Sequence, residues 1–412
     1  MRSLLGPDLC DLRIELYDGT ALGPAHAPTT VRITSPDFFR RVLLGLGSEL
    51  AFSRAYVAGE VEVVGDIYGI MRLRDRIAAI TVDSTMLGDA AELLGVHSPA
   101  DLRKLRPLPP PPEEIRLRGR LHSPNRDSRA VSAHYDVSNA FYKQFLDRSM
   151  TYSCAVFEDE SDTLEQAQLQ KYELIGRKLG LRPGMRLLDV GCGWGGMLIH
   201  AAHTFGVHAV GITVSQEQQE LAEKRVAEAG LTEQIQVRLQ DYRKILDGPF
   251  DAVSSIGMFE HVGQKQLARY FNTIAGLLVP GGRLLNHAIN RSTPQSRARI
   301  TPNSFMARYV FPDGELLEPG RVVSAATASG LEVRHLESLR EHYALTLRRW
   351  VQNLEENWDE AVRLTSLPRA KIWRLYMAGS ALAFEANEVT VTQILATKTV
   401  GGDARFPRRP EW

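Results

Sequence analysis

This chain predicts an α/β protein, a mostly parallel sheet with helices on both faces, joined to a small mixed α+β N-terminal domain. Three observations carry that expectation. From about residue 130, short apolar runs of strand length alternate with amphipathic helical stretches, and strand-helix alternation places helices over both faces of a parallel sheet. One of those strands runs into a turn with four glycines in six residues, Gly191 to Gly196. The first hundred residues show shorter elements without that alternation. At 412 residues the chain has length for two domains, expected at 1–105 and 130–412 with a Pro/Arg-rich linker over 106–129.

In the N-terminal region LRIELYDG and TTVRITS read as strands, PDFFRRVLLGLG as a helix, and AGEVEVVGD as a strand pair closed by Gly-Asp. The linker holds Pro107 and Pro109 to Pro112, extended because proline lacks the backbone donor. It then turns basic through Arg116, Arg118, Arg120, Arg126 and Arg129, which reads as a solvated tether or as a contact strip for anionic headgroups. Beyond it RLLDV, HAVGI, IQVRL, FDAVSS and GRLLNHAI are strands, with VTQILATK a late one. LEQAQLQKYELIGRKLG, SQEQQELAEKRVAEAG and KQLARYFNTIAGLL are helices, and a long helical region is expected from about Leu339 to Asn387.

Composition excludes several classes of function. Lys plus Arg number 49 and Asp plus Glu 49, so no global positive field exists to grip nucleic acid. Cys10, Cys154 and Cys192 form no CxxC pair, which argues against zinc and against a disulfide scaffold. No apolar run is long enough to cross a bilayer, and MRSLLGPDLCDLRIELYDG carries acids where a secretory signal has its apolar core. A cytoplasmic location is expected.

The glycine turn is the most informative stretch. In LLDVGCGWGG the strand ends at Asp189, and Gly191, Gly193, Gly195 and Gly196 let the backbone turn tightly and lie close to a ligand at a helix N-terminus. The pattern alone also fits a dinucleotide. Asp189, however, would repel a pyrophosphate and attract an ammonium or sulfonium, and HAVGIT ends in Thr213 and Ser215 instead of a ribose-binding acid. S-adenosylmethionine fits better than a nicotinamide cofactor.

HYDVSNAFYKQFLDRSMTYSCAVF, LLDVGCGWGG, GITVSQEQ, GMFEHVG and HYALTLRRW, five motifs in order over about residues 130–400, resemble the cyclopropane-fatty-acid synthase family. The resemblance implies a Rossmann-like class I methyltransferase fold with a seven-stranded sheet and a helical lid. It implies cofactor contacts at Tyr152, Ser153, Asp189, Gly191, Gly193, Gly195, Thr213, Gln218, Asp241 and Tyr242. It also implies a bicarbonate ion held by Cys154, Glu260, His287, the backbone of Ile289 and Tyr343. Glu260 and His287 are expected where the fourth and fifth strands of the larger domain end.

The implied substrate is the cis double bond of an unsaturated phospholipid acyl chain, reached by transient contact with the inner face of the membrane; the alternatives are a small-molecule methyltransferase using the same cofactor and a non-catalytic lipid-binding protein. Alkylating an alkene leaves a carbocation, so the pocket must be dry and a base must take one proton. Glu260 is expected to accept the acidic hydrogen of bicarbonate, with His287 and Tyr343 as donors to it. The product is a cyclopropane or a methylene branch, the latter calling for a partner reductase; a homodimer is left open. The family usually has a cysteine where AGSALAFEAN has Ser380. Phe305, Met306, Tyr309, Phe311, Trp350, Trp358, Trp373, Tyr376 and Phe384 are candidates for an apolar tunnel or for core.

Overall fold

The structure is a computed structural model that describes residues 11–45, 48–71, 88, 94, 96–98, 101, 106–117, 126, 138–296 and 300–412. Cys10, Arg118, Arg120 and Arg129 lie outside the described residues, so the basic strip is seen only at Arg116, which is exposed, and at Arg126. The Arg126 guanidinium forks onto Asp313 at 2.5 and 2.7 Å. The chain divides into two compact units. One gathers residues up to Arg116 with 301–310 and 358–379; the other holds the rest.

In the first unit strands β1 (Leu12–Glu15), β2 (Ala21–Leu22), β3 (Thr29–Ile33) and β4 (Val61–Gly65) form a sheet in the order β2-β1-β3-β4. The stretch expected as a strand pair is this one strand, β4, because its partner is β3, antiparallel from Thr29↔Gly65 to Ile33↔Val61. Its opening residues, Ala58 to Glu60, instead close a helix that the sequence reading lacked, Glu49–Ala58, capped by Ser48 and stopped by Gly59 at φ 77. Arg40 and Arg41 donate to the carbonyls of Arg106 and Pro109, and Arg54 pairs with the buried Glu114 at 2.8 and 2.9 Å. The start of the proline segment is thereby tied to this unit.

The second unit is built on a seven-stranded sheet: β5 (Arg186–Val190), β6 (His208–Thr213), β7 (Ile235–Leu239), β8 (Phe250–Ile256), β9 (Leu278–Arg291), β10 (Glu332–Ser338) and β11 (Val389–Thr397). The order is β10-β11-β9-β8-β5-β6-β7, with β11 antiparallel to both its neighbours and the remaining pairs parallel. The strand without a sequence signal is β10. EVRHLES is polar and lies at the sheet edge, where one partner suffices and no apolar run is required. The long late helical region divides into Arg340–Glu356, Trp358–Leu364 and Leu367–Glu385.

Two helices set the site. Leu164–Leu179 opens on a reciprocal Thr163/Gln166 cap and ends at Gly180, φ 65. Its buried stripe includes Leu164, Tyr172 and Ile175 but also two lysines, Lys171 and Lys178. Gly196–Phe205 follows the glycine turn and packs through Met197, Leu198, Ala201 and Ala202. Among the described residues no helix is long and apolar enough to cross a membrane. The aromatic residues considered for a tunnel divide between the units: Phe305, Tyr309, Trp358, Trp373 and Tyr376 fall in the first, Phe311, Trp350 and Phe384 in the second.

Candidate functional site

Strands β5, β6 and β8 run parallel, so their carboxyl ends and the turns after them open on one side of the sheet. A cavity lies there, about 1180 Å³ counting the open solvent at its mouth. Tyr152, Ser153, Asp189, Gly191, Gly193, Thr213, Gln218, Asp241 and Tyr242 line it. Gly195 does not; at φ 81 it caps the helix Gly196–Phe205. Gly191, at φ 83, also needs to lack a side chain, since a Cβ there would stand 2.8 Å from the Met258 Cβ.

The polar groups of the cavity are held before any ligand enters. Asp189 is buried, accepts only the Ser254 hydroxyl at 2.6 Å among the described bonds, and burial pushes its carboxyl up to about 6. Thr213 donates to Gln218 Oε1 at 2.8 Å, which leaves the Gln218 amide N–H groups as donors. Asp241 is clasped by Arg243 through its backbone N–H at 2.9 Å and its Nε at 2.8 Å. Its pKa is lowered: burial acts upward, and the Arg243 bonds outweigh it. Tyr152 stacks on Trp350 at 5.2 Å between centroids.

The sequence reading missed Lys171. It is fully buried, lines the cavity and donates from Nζ to Ser153 Oγ at 2.9 Å. Burial lowers its pKa to about 7, against the pull of Asp147, Cys154 and Asp189. Its signal was present, since a lysine on the apolar stripe of an amphipathic helix is costly unless it has a task. Trp194, Gln240 and His261 also line the cavity.

None of Cys154, Glu260, His287, Ile289 and Tyr343 lines that cavity, although Ser153, Ile256, Met258 and His261, their neighbours in sequence or register, do. Four of the five are linked by a chain of bonds. Glu260, in the 3-10 turn Phe259–His261 after β8, accepts the Ile289 N–H at 2.7 Å. Ile289 pairs with Val391 across β9 and β11, and the Val391 carbonyl takes the Leu339 N–H at 2.8 Å. The Leu339 carbonyl in turn accepts the Cys154 thiol at 3.6 Å and the Tyr343 N–H at 3.1 Å.

His287 is two residues before Ile289 and on the same face. It stands inside β9, not at its end as expected. The parallel pairing with β8 does stop at Ile256↔His287, but pairing with β11 carries β9 on to Arg291.

Among the described residues, two buried atoms in this cluster have no hydrogen-bond partner, Glu260 Oε2 and His287 Nε2. Burial raises the Glu260 carboxyl to about 7, against the Ile289 bond. Burial, with Lys171 and Lys178, lowers His287 to about 3, so the ring is neutral. The Cys154 thiol is pushed far up by burial and stays protonated. Tyr343 is buried against Phe384 at 4.6 Å and Trp350 at 6.0 Å. A bonded carboxylate and a neutral imidazole, each with a vacant polar atom, suit a small hydrogen-bonding anion that both donates and accepts.

The family described as mycolic acid cyclopropane synthetase matches residues 122–394. A probable fatty acid methyltransferase of Mycobacterium tuberculosis is 44% identical over 97% of this chain and 94% of its own. The cyclopropane-fatty-acyl-phospholipid synthase of Escherichia coli K12 is 31% identical over 93% of this chain and 91% of its own. Among solved structures, the cyclopropane synthase MmaA2 of Mycobacterium tuberculosis has a TM-score of 0.63 at 35% identity, covering 65% of this chain and 97% of that one. The mycolic acid cyclopropane synthase CmaA1, complexed with SAH and CTAB, has a TM-score of 0.62 at 34% identity, with the same coverages of 65% and 97%.

Proposed function

This chain belongs to the mycolic acid cyclopropane synthetase family, and from that premise we propose that it alkylates the cis double bond of an unsaturated acyl chain in membrane phospholipid. It is an S-adenosylmethionine-dependent methyltransferase of the class I fold. The proposal concerns the substrate, the base and the site residues. The cavity suits the cofactor by its chemistry: a buried carboxylate at Asp189 for a cationic ligand, amide donors at Gln218 for ribose hydroxyls, and Asp241 as acceptor for an adenine amine. S-adenosylmethionine supplies an electrophilic methyl group when bound there. Asp189 would hold charge toward a cationic group of that cofactor, and the glycine turn would let the backbone approach it.

The unpartnered pair Glu260 Oε2 and His287 Nε2 carries the reading of the base. Glu260, His287 and Tyr343 would hold bicarbonate, and bicarbonate would supply a proton acceptor there. Glu260 accepts the anion's acidic hydrogen while the Ile289 N–H steadies its other oxygen. Trp350, Tyr343 and Phe384 exclude water, which a carbocation on the acyl chain would otherwise capture. Their faces also favour positive charge. Delivery of the chain from a membrane surface and, for a methylene product, reduction by a partner enzyme belong to the same proposal.

The test is incubation with methyl-labelled S-adenosylmethionine and dioleoyl phospholipid vesicles in carbon-dioxide-depleted buffer, with and without added bicarbonate. Mass spectrometry of the acyl chains should show a gain of one carbon that depends on bicarbonate. Ozonolysis converts a methylene branch to a ketone and leaves a cyclopropane ring intact, so the same sample separates ring from branch. Label found on a heteroatom acceptor and none in lipid overturns the substrate; bicarbonate-independent turnover overturns the base.

A further inference from the structure

Glu337, Gln393 and His287 stand directly opposite one another across three adjacent strands, β10, β11 and β9. Residues in register share a face of the sheet. Over that face the helix Leu164–Leu179 sends in Lys178, whose side chain is fully buried. Lys178 Nζ donates to the Glu337 carboxylate and, at 2.7 Å, to Gln393 Oε1. A carboxamide has one accepting end and one donating end. The ammonium, which offers only donors, holds the accepting end of Gln393; the reversed amide would set N–H groups against it.

The donating end, Nε2, therefore faces His287 Nδ1, at 3.3 Å. Gln393 is itself fully buried. Nδ1 must then accept, so in a neutral ring the single proton sits on Nε2. That nitrogen is the buried atom for which the described residues provide no partner. Neither Lys178 nor Gln393 was singled out by the sequence motifs, and neither lines the cofactor cavity.

We propose that Lys178 and Gln393 are positioning residues that lock His287 as its Nε2–H tautomer, so that the ring presents a donor, and only a donor, to an anion oxygen beside Glu260. The inference rests on the anion reading above for its purpose but not for its geometry. It divides the labour of the site: Glu260 accepts the anion's hydrogen, and His287 donates to a different oxygen. The opposite tautomer would place a lone pair against that oxygen.

Nitrogen-15 NMR of histidine-labelled full-length protein tests this directly. His287 is assigned from the spectrum of His287→Gln, and it should show a pyridine-like Nδ1 and a pyrrole-like Nε2 from pH 6 to 8. Gln393→Glu places a carboxylate at Nδ1, which demands a proton there. The ring should switch tautomer, and half-saturating bicarbonate for methyl transfer should rise on the order of tenfold or more, as for loss of a hydrogen bond to a charged group. Lys178→Met frees the amide to turn and should give mixed tautomers with a smaller rise; it serves alone if Gln393→Glu does not fold.

A wild-type ring protonated at Nδ1 overturns the proposal, whatever bicarbonate does. So does an unchanged tautomer and bicarbonate response in both variants. An Nε2–H ring in an enzyme indifferent to bicarbonate leaves the lock established and removes the anion reading instead.

Discussion

The cavity at the glycine turn and the cluster around Glu260 lie side by side in one unit and are built in opposite ways. The cavity is made by turns: Asp189 to Gly193, Thr213 to Gln218, and Asp241 with Tyr242 each come as a short local run at a strand's carboxyl end. The cluster is made by register. Glu260 meets Ile289, Ile289 meets Val391, Leu339 meets Cys154, and His287 meets Gln393, every one of them a contact between distant segments. Local chemistry decides the first, and strand alignment decides the second. A one-residue slip of β11 against β9 would leave the glycine turn intact and would turn Gln393 away from His287.

Substitutions can break the two regions separately, and the largest separation is expected at Glu260. Glu260→Gln should lower turnover on the order of 10²–10⁴-fold, as for loss of a group that handles a proton, while calorimetry shows cofactor affinity nearly unchanged. Loss of cofactor binding together with turnover would mean that the two regions are not separable.

The same variant sharpens the comparison through stability. The folded Glu260 pKa is raised to about 7, so its contribution is fully present below the unfolded value near 4.5 and is lost as pH rises through 7. Urea titrations should show Glu260→Gln gaining on the wild type over that window, up to about 3 kcal/mol at pH 8. A constant difference between pH 4.5 and 8 would place the carboxylate in a wetter setting.

On the cavity side Gly191→Ala combines a left-handed φ of 83 with a close approach to Met258. It should cost about 1–3 kcal/mol in stability, seen in thermal unfolding, and weaken cofactor binding without touching the tautomer of His287. The smallest effect is expected for Asp189→Asn. Wild-type cofactor affinity should strengthen as pH rises through about 6, where the carboxyl ionises; the variant should bind roughly tenfold more weakly at pH 8 and show no such rise. Isothermal titration at pH 5, 6.5 and 8 checks both.

Strand alternation, the glycine turn and the capped helices were legible because each depends on neighbours within a few residues. RLLDV, HAVGI and FDAVSS are apolar for burial on both faces, and Thr163 with Gln166 announces a helix start. The polar edge strand β10 and the helix Glu49–Ala58 escaped notice, the first because an edge needs no apolar pattern, the second because AFSRAYVA blurs into the strand that follows. The sequence puts His287 at a strand end because it follows the run GRLLN; the antiparallel partner that extends β9 comes a hundred residues later.

What the sequence by itself determined was the α/β architecture, the glycine turn and the residue types of the candidate site, since periodicity, glycine conformation and the cost of a buried charge act locally. Only the tertiary structure decided which buried groups find partners: that Glu260 spends one oxygen on Ile289 and keeps the other, that Lys171 bonds Ser153, and that Lys178 turns Gln393 toward His287. Hydrogen bonds between groups far apart in the chain require two surfaces in a set register, and no single stretch of sequence specifies both.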